Sequence, residues 1–389
     1  MEFDLKKHTI LAVVCGSQAY GTATATSDVD IKGIACPPKD YYFSLLKNFE
    51  QADKPVWMEP FVDNLPPNLK EIASRTKLEG SIYEITKYFK MLLEVNPNSL
   101  DTLFCDDSDV ILITPAGQKI RDNRDLFLSK KVRYTFFSYA FSQMQRIMTH
   151  RNWLLLKAEK EPQREGFGLK PKTEIPKNQM DAVSAYVKKQ MDHWETDITS
   201  EEELSEPTKI KIREKVAFLL KELKISSENR FVAACNLIGF EENFILYLQK
   251  EREYEKALRE HKQYLDWKRT RNPERAVLEE KYHMDTKHAS HIYRLCLMCE
   301  ELLMTGKLIV KRPDREQILA IRNGEWSYEK LVEWFEQKKQ SIDELFKTST
   351  TLPDAPNRKK IDALLLEIME DCFREQSKTM ILKPVNGIW

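Results

Sequence analysis

The chain has 389 residues, 42% of them hydrophobic, which is long enough for two or three domains with a sizeable core. Its 61 basic residues balance 61 acidic ones, so the net charge is zero. A surface that binds nucleic acid would therefore have to be a local basic patch. The seven cysteines show no disulfide pattern and no run reaches the roughly 18 apolar residues of a membrane span, so we expect a cytoplasmic protein with reduced thiols and no membrane partner.

Strand signals are confined to the first part of the chain. Thr9–Val14 is a short β-branched and apolar run that predicts a buried strand. Ile31–Ala35 predicts a second strand that stops at two prolines, and the proline-rich residues 53–70 predict a loop. Lys77–Glu84 predicts a third strand that turns into a helix, and Asp109–Thr114 predicts a fourth.

From about Pro115 onward the pattern is helical almost throughout, and the low count of 11 glycines fits this. The predicted helices span 131–158, 178–194, 207–224, 228–239, 241–258, 286–305, 314–322, 327–346 and 358–377. We therefore predict an α+β fold, with a core in residues 1–115 and a helical region in residues 116–389. Residues 195–280 carry no specific signal, which leaves open whether they form an insertion or subdomain.

Two acidic residues open the second predicted strand. Alternation along a strand places Asp28 and Asp30 on the same face. Two carboxylates on one face form a chelating pair for a hard divalent cation, and Mg²⁺ is usually held by one or two carboxylates together with substrate phosphates. Like charges this close repel each other, so a metal ion would stabilise the pair. The pattern predicts a metal site at Asp28 and Asp30.

A glycine and a serine follow the first predicted strand. Gly16 has no Cβ, so its backbone can approach a triphosphate closely, and Ser17 can donate its hydroxyl to a phosphate oxygen. Backbone N–H groups at the start of a following helix would complete an anion site. A metal site beside a site for a triphosphate would allow in-line displacement at the α-phosphate, with the attacking and leaving oxygens both held by metal ions.

These residues carry a resemblance to a known superfamily. The string Gly16-Ser17-Gln18-Ala19-Tyr20-Gly21, followed by Ser27-Asp28-Val29-Asp30 and Gly33, resembles the signature of the DNA polymerase beta-type nucleotidyltransferases. Further segments resemble the predicted nucleotidyltransferase family associated with RNA ligases and RNA repair, which has bacterial and many bacteriophage members. These segments are residues 96–104, 150–154, 166–169, 284–291, 312–314 and 321–325.

The resemblance implies a small mixed β-sheet joined to a helical region. It also implies transfer of a nucleoside monophosphate from an NTP to an acceptor hydroxyl with release of pyrophosphate, with Mg²⁺ or Mn²⁺ as cofactor and an RNA 3′ end as acceptor. Tyr20 lies in the matching string and is assigned to nucleotide binding. Two alternatives stay open: modification of a protein or small molecule, as in a toxin–antitoxin component, and a non-catalytic module that binds nucleotide or RNA.

Members of the superfamily usually carry a third carboxylate on a neighbouring strand. The candidates are Glu84, Glu79 and Asp101, and Glu84 is preferred because it stands where the third strand would end beside Asp28 and Asp30. Its role would be that of a metal ligand or a general base for the attacking hydroxyl. The alternative is a solvated glutamate of the following helix.

The helix predicted over 286–305 carries three basic residues at helical spacing. Lys287, His291 and Arg294 are candidates for contacts with phosphate or base, and the alternative is hydrogen bonding between domains. Arg312-Pro313-Asp314 and Arg322 are expected to be structural, with a role in pinning the C-terminal helices to the catalytic lobe. The aromatic residues between 134 and 153 are expected to pack mainly in the core, and the alternative is that they stack on a nucleic-acid base.

Overall fold

The computed structural model describes residues 3–156, 160–173, 175–196 and 227–381. The chain forms two compact units, one made of Met1–Leu155 with Pro273–Trp389 and the other of Leu156–Asn272. The predicted helix over 207–224 lies outside the described residues, and the division of the chain at residue 115 stays a prediction.

The first unit contains a five-stranded sheet in the order β3-β4-β2-β1-β5. The strands are β1 (Thr9–Cys15), β2 (Val29–Ala35), β3 (Gln51–Ala52), β4 (Leu78–Glu84) and β5 (Val110–Ile113). Strands β2 and β4 are parallel and the other pairs are antiparallel, so the sheet is mixed. The predicted α+β class is confirmed. Strand β3 was not predicted, because two residues are too few to show an alternating pattern.

Helices of the first unit surround this sheet. Its N-terminal part holds α1 (Leu5–His8), α2 (Gly16–Ala19), α3 (Asp40–Phe43), α4 (Pro67–Arg75), α5 (Ile85–Leu93), α6 (Pro97–Phe104), α7 (Pro115–Asp122) and α8 (Val132–Leu156). Its C-terminal part holds α12 (Pro273–Tyr282), α13 (Thr286–Thr305), α14 (Arg315–Arg322), α15 (Tyr328–Thr348) and α16 (Arg358–Ile381). Several 3₁₀ turns join these helices.

The two faces of the sheet pack against different cores. Leu11, Val13 and Ile34 point to one face and join a large core that includes residues of α5 to α8 and of α13, α15 and α16. The alternate residues Val14 and Ile31 point to the other face, toward a smaller core under 3₁₀ turns and α4. The period of two along each strand therefore decides which layer a side chain joins.

Helix α13 is the central helix of the C-terminal part. Asp285 caps its N-terminus by accepting a hydrogen bond from the backbone N–H of His288 at 2.9 Å, and Gly306 ends it in a left-handed conformation. Phe137 of α8 stacks on Phe335 of α15 with ring centroids 5.2 Å apart, and both rings are buried. Phe136 is buried as well, whereas Tyr134, Tyr139 and Phe141 are exposed, so only part of the aromatic set between 134 and 153 packs in the core.

The second unit is helical in its described part. It contains α9 (Lys177–Thr196), α10 (Ser227–Ile238) and α11 (Glu242–Thr270), which share a small core around Val187 and Phe231. Arg164 and Glu251 form an ion pair inside this unit. No helix in the described ranges of either unit is long and apolar enough to cross a membrane.

Candidate active site

The turn after β1 lies directly against an aspartate of β2. Strands β1 and β2 are antiparallel, and Cys15 stands opposite Asp30. The next residue, Gly16, has a positive φ of +67°, and a Cβ built on it would lie 2.3 Å from Oδ2 of Asp30. Only a residue without a side chain allows this contact, so the structure brings the predicted glycine turn and the predicted metal ligand together.

The carboxylates of Asp28 and Asp30 are both half-buried at the start of β2, on either side of the buried Val29. Burial raises the pKa of the Asp30 carboxyl, and the nearby charges of Glu79 and Asp28 raise it further. The ammonium groups of Lys32 and Lys287 act in the opposite direction. Bound positive charge would therefore stabilise the ionised form of Asp30.

The third carboxylate beside this pair is Glu79, and the preference for Glu84 was wrong. The parallel register of β2 and β4 sets Asp30 opposite Glu79, whereas Ala35 stands opposite Glu84. Five residues along a parallel strand separate the two glutamates by about 16 Å. Asp28, Asp30 and Glu79 are hence the acidic residues at this end of the sheet.

Glu84 instead serves as the N-cap of α5. Its carboxylate accepts hydrogen bonds from the backbone N–H groups of Thr86 at 2.7 Å and Lys87 at 2.8 Å, and from the hydroxyl of Tyr42 at 2.8 Å. These contacts satisfy N–H groups that a helix start leaves without partners. The carboxylate is therefore committed to the fold and is not available to a metal ion.

A polar cleft of about 380 Å³ opens beside Asp30 on the β4 side. The neighbours Lys32, Glu79 and Ser81 on β2 and β4 line it together with Asp30. Its remaining lining residues are Asp53, Pro55, Lys77 and Gly80. Lys77 forms an ion pair with Glu79 at the rim.

The donors at this site are the carboxylate oxygens that hard divalent cations prefer. Burial, and then repulsion from Glu79 and Asp28, raises the pKa of Asp30, which fits a site that binds a cation. Within the described residues, however, no group of three or more His, Cys, Asp or Glu side chains is arranged so that it could hold a metal ion. Mg²⁺ sites often use only one or two carboxylates and complete their shell with substrate phosphates and water, so the set remains suitable.

Tyr20 and Arg294 lie in a buried network and do not face the cleft. The Tyr20 hydroxyl donates to Asp101 of α6, and the Arg294 guanidinium lies 3.8 Å from the Tyr20 ring centroid. Arg294 also donates to the same Asp101 oxygen at 3.3 Å. Arg294 and Asp101 are only 6% and 4% exposed. The assignment of Tyr20 and Arg294 to nucleotide binding is therefore replaced by a positioning role, in which they tie α13 to the turn after β1.

Lys287 and His291 occupy the first turns of α13. The charge of Lys287 lowers the pKa of Asp30, so Lys287 lies within electrostatic range of this carboxylate. Burial, with the nearby charge of Arg294, lowers the pKa of His291 to about 3. His291 is therefore neutral at physiological pH and adds no positive charge to the site, whereas Lys287 does.

The loop between β1 and β2 is held by the C-terminal part of the same unit. The backbone N–H of Arg312 donates to the carbonyl of Tyr20 at 3.1 Å, and Arg322 donates to the carbonyl of Thr22 at 3.4 Å. The buried Arg312 guanidinium lies 2.7 Å from carboxylates of both Glu301 and Asp314. The structural role predicted for Arg312 and Arg322 is confirmed.

Some residues of this site were missed by sequence reasoning. Lys32 follows Asp30 by two positions and so shares its face of β2, a signal that the alternation already contained. Ser81 and Asp53 reach the cleft only through the pairing of β4 with β2 and β3, and no sequence signal indicates this.

The two glycines of this loop provide a matched test of the contact with Asp30. Gly16 and Gly21 both have positive φ, so alanine at either costs about 1–2 kcal/mol of stability through backbone strain. Only Gly16→Ala would also displace the Asp30 carboxylate, because a Cβ on Gly21 meets nothing nearer than Arg315 at 3.9 Å. We expect Gly16→Ala to weaken Mn²⁺ binding, measured by calorimetry in the presence of NTP, at least about tenfold more than Gly21→Ala. Equal affinities in the two variants would contradict this geometry.

His291 predicts a specific pH dependence of stability. Its pKa is lowered in the folded protein, whereas a histidine in the unfolded chain titrates near pH 6.5, so the unfolded state takes up the proton first as the pH falls. Between pH 6.5 and 5 this residue should remove about 1.6 kcal/mol from the free energy of unfolding. Urea unfolding of His291→Gln should show a flatter pH profile over this range and a profile parallel to wild type between pH 7 and 8. Parallel profiles throughout would refute a His291 that stays neutral in the folded protein.

Comparison with known proteins agrees with the resemblance seen in the sequence. Residues 2–159 match the family model described as RNA repair pathway DNA polymerase beta family. This segment includes all five strands and the cleft, but not α13 with Lys287, His291 and Arg294. The chain matches none of the curated proteins and none of the solved structures with which it was compared. Over residues 2–159, the chain is similar to the polymerase beta-type nucleotidyltransferases of RNA repair.

Proposed function

We propose that the protein is a metal-dependent nucleotidyltransferase that moves a nucleoside monophosphate from an NTP to the 3′ hydroxyl of an RNA. The observation that carries the proposal is the position of Asp30, which lies against the Gly16 turn on one side and opposite Glu79 on the other. The turn at Gly16 and a set of carboxylates are thereby brought to one end of the sheet, which supports a site for a metal ion and a triphosphate. The family match over residues 2–159 supports the RNA repair context.

The residues at this end of the sheet divide into carboxylates that would hold a metal ion and groups that would bind the triphosphate. Asp28, Asp30 and Glu79 would hold Mg²⁺ or Mn²⁺, which when bound neutralises charge on the reacting phosphate and on the leaving group. The backbone at Gly16 and the hydroxyl of Ser17 would bind the triphosphate, with Lys287 adding positive charge.

The bond changes of the transfer balance without another reactant. The acceptor oxygen forms a bond to the α-phosphorus, the bond from that phosphorus to the bridging oxygen breaks, and pyrophosphate leaves. The hydroxyl proton passes to a carboxylate, for which Glu79 on the cleft side is the candidate. The buried contacts of Tyr20 with Asp101 and Arg294 hold the Gly16 turn in place during the reaction.

Transfer is tested directly with α-labelled NTPs, a short RNA with a free 3′ hydroxyl, and Mg²⁺ or Mn²⁺. We expect label in the RNA with the wild-type protein and at least a ~100-fold lower rate with Asp30→Ala, because the lost metal contact is worth several kcal/mol in the transition state. The Tm of this variant should be unchanged or higher, since repulsion among the carboxylates is relieved. Label in protein instead of RNA would indicate a protein-modifying enzyme. Metal-independent NTP binding without turnover would indicate a non-catalytic module.

The two glutamates of β4 form a matched pair for locating the third carboxylate. Glu79→Ala should lower the transfer rate at least ~100-fold with little loss of stability, because its ion pair with Lys77 is exposed and such pairs contribute little. Glu84→Ala should leave the rate of the folded protein within about twofold, yet lower the free energy of unfolding by about 1–2 kcal/mol through loss of the helix cap. Rates and urea unfolding curves measured on both variants decide the assignment, and the reverse pattern would restore Glu84 as the third carboxylate.

A further inference from the structure

The Gly16 turn, which the proposed function assigns to the triphosphate, and the cleft lie on opposite sides of Asp30. Gly16 follows β1, which is one neighbour of β2, whereas the cleft is lined by residues of β2, of β4 and of the segment after β3. In-line displacement requires the attacking oxygen and the leaving pyrophosphate to lie on opposite sides of the phosphorus. If the Gly16 turn holds the triphosphate, as the proposed function states, the cleft is the place for the acceptor.

Lys32 is the cation best placed to contact that acceptor. It lies on the same face of β2 as Asp30, about 6.6 Å further along the strand. Its side chain lines the cleft beside Glu79 and Ser81. Among the residues that the structure describes, Lys32 forms no ion pair, whereas Lys77 at the rim pairs with Glu79.

An ammonium group in this position favours an anionic ligand. Lys32 is half-buried, so it has lost part of its contact with water. Its charge lowers the pKa of Asp30, but no carboxylate of the described residues forms an ion pair with it. A phosphate provides a charged acceptor for its three donors, and the Ser81 hydroxyl beside it can donate as well. A protein serine or tyrosine presents a hydroxyl without such a charge, so this cleft is better suited to a nucleic-acid end.

We propose that Lys32 binds the phosphate on the 5′ side of the acceptor's terminal nucleotide, so that the cleft recognises an RNA end through its backbone and directs its 3′ hydroxyl toward Asp30. This inference rests on the proposed function, since it assigns the acceptor side of the same site. A contact with phosphate carries no base specificity, so the cleft accepts any terminal nucleotide.

The experiment measures binding of a 5′-fluorescein-labelled pentaribonucleotide with a free 3′ hydroxyl by fluorescence anisotropy, without NTP, at several salt concentrations. We compare wild type, Lys32→Ala, Lys32→Arg and Lys90→Ala, the last being an exposed lysine of α5 outside the cleft. Lys32→Ala should weaken binding about tenfold and reduce the slope of log affinity against log salt by about 0.7, the value for one phosphate contact on a single strand. Lys32→Arg should keep the slope, and Lys90→Ala should match wild type.

A second titration, of NTP with Mn²⁺ in the absence of RNA, shows whether Lys32 contacts the RNA, contacts the triphosphate or only balances the charge of the carboxylates. The proposal expects Lys32→Ala to weaken RNA binding by a larger factor than NTP binding, since the charge of Lys32 also acts on Asp30. Weaker NTP binding with unchanged RNA binding would overturn it and assign Lys32 to the triphosphate. Unchanged RNA affinity and salt slope would also overturn it and leave Lys32 as a charge that balances the carboxylates. Wild-type protein that binds RNA through Lys32 yet transfers no label would support the contact while refuting the proposed function.

Discussion

The contact between Gly16 and Asp30 is the constraint on which the candidate site depends. It requires a left-handed residue without a Cβ at the end of β1 and an antiparallel register that sets Cys15 opposite Asp30. A shift of one residue in this register would turn the acidic side chains of β2 to the other face, where Val14 and Ile31 pack in an apolar core. Burial of the two apolar cores therefore also fixes the face on which the candidate site lies.

The C-terminal helices belong to the same compact unit as the sheet and complete the surroundings of the site. Arg294 contacts Asp101 and the Tyr20 ring, and Arg312 and Arg322 donate hydrogen bonds to carbonyls of the loop between β1 and β2. The charge of Lys287 lowers the pKa of Asp30. A polymerase beta-type core that ends near residue 159 would lack all of these contacts. The helical region hence supports the Gly16 turn, and its buried polar contacts hold the loop between β1 and β2.

Glu84 shows why residue type and position are weak guides to a third metal ligand. A glutamate between a strand and a helix is well suited to cap the helix, because its carboxylate satisfies backbone N–H groups that would otherwise lack partners. The same carboxylate suits a metal equally well. Only the pairing of β4 with β2 distinguishes the two roles, by placing Glu79 rather than Glu84 opposite Asp30.

The sequence by itself determined the parts of the site that lie close together in the chain. The run from Gly16 to Asp30, the strands on either side of it and the shared face of Asp28 and Asp30 all follow from local backbone preferences and from a period of two. The same alternation includes Lys32. Such patterns act over a few residues, so they are readable without knowledge of the fold.

Only the tertiary structure decided which distant residues meet at this site and which are buried. The distance between β2 and β4 in the chain leaves their register to packing, and that register selects Glu79, Ser81 and the cleft. Whether Tyr20 and Arg294 face a ligand or each other depends on how α13 packs against α6, which no local pattern encodes. The physical reason is that the hydrophobic effect is non-directional and depends only on the apolar area removed from water. Which residues far apart in the chain become neighbours is therefore decided only when all the elements pack together.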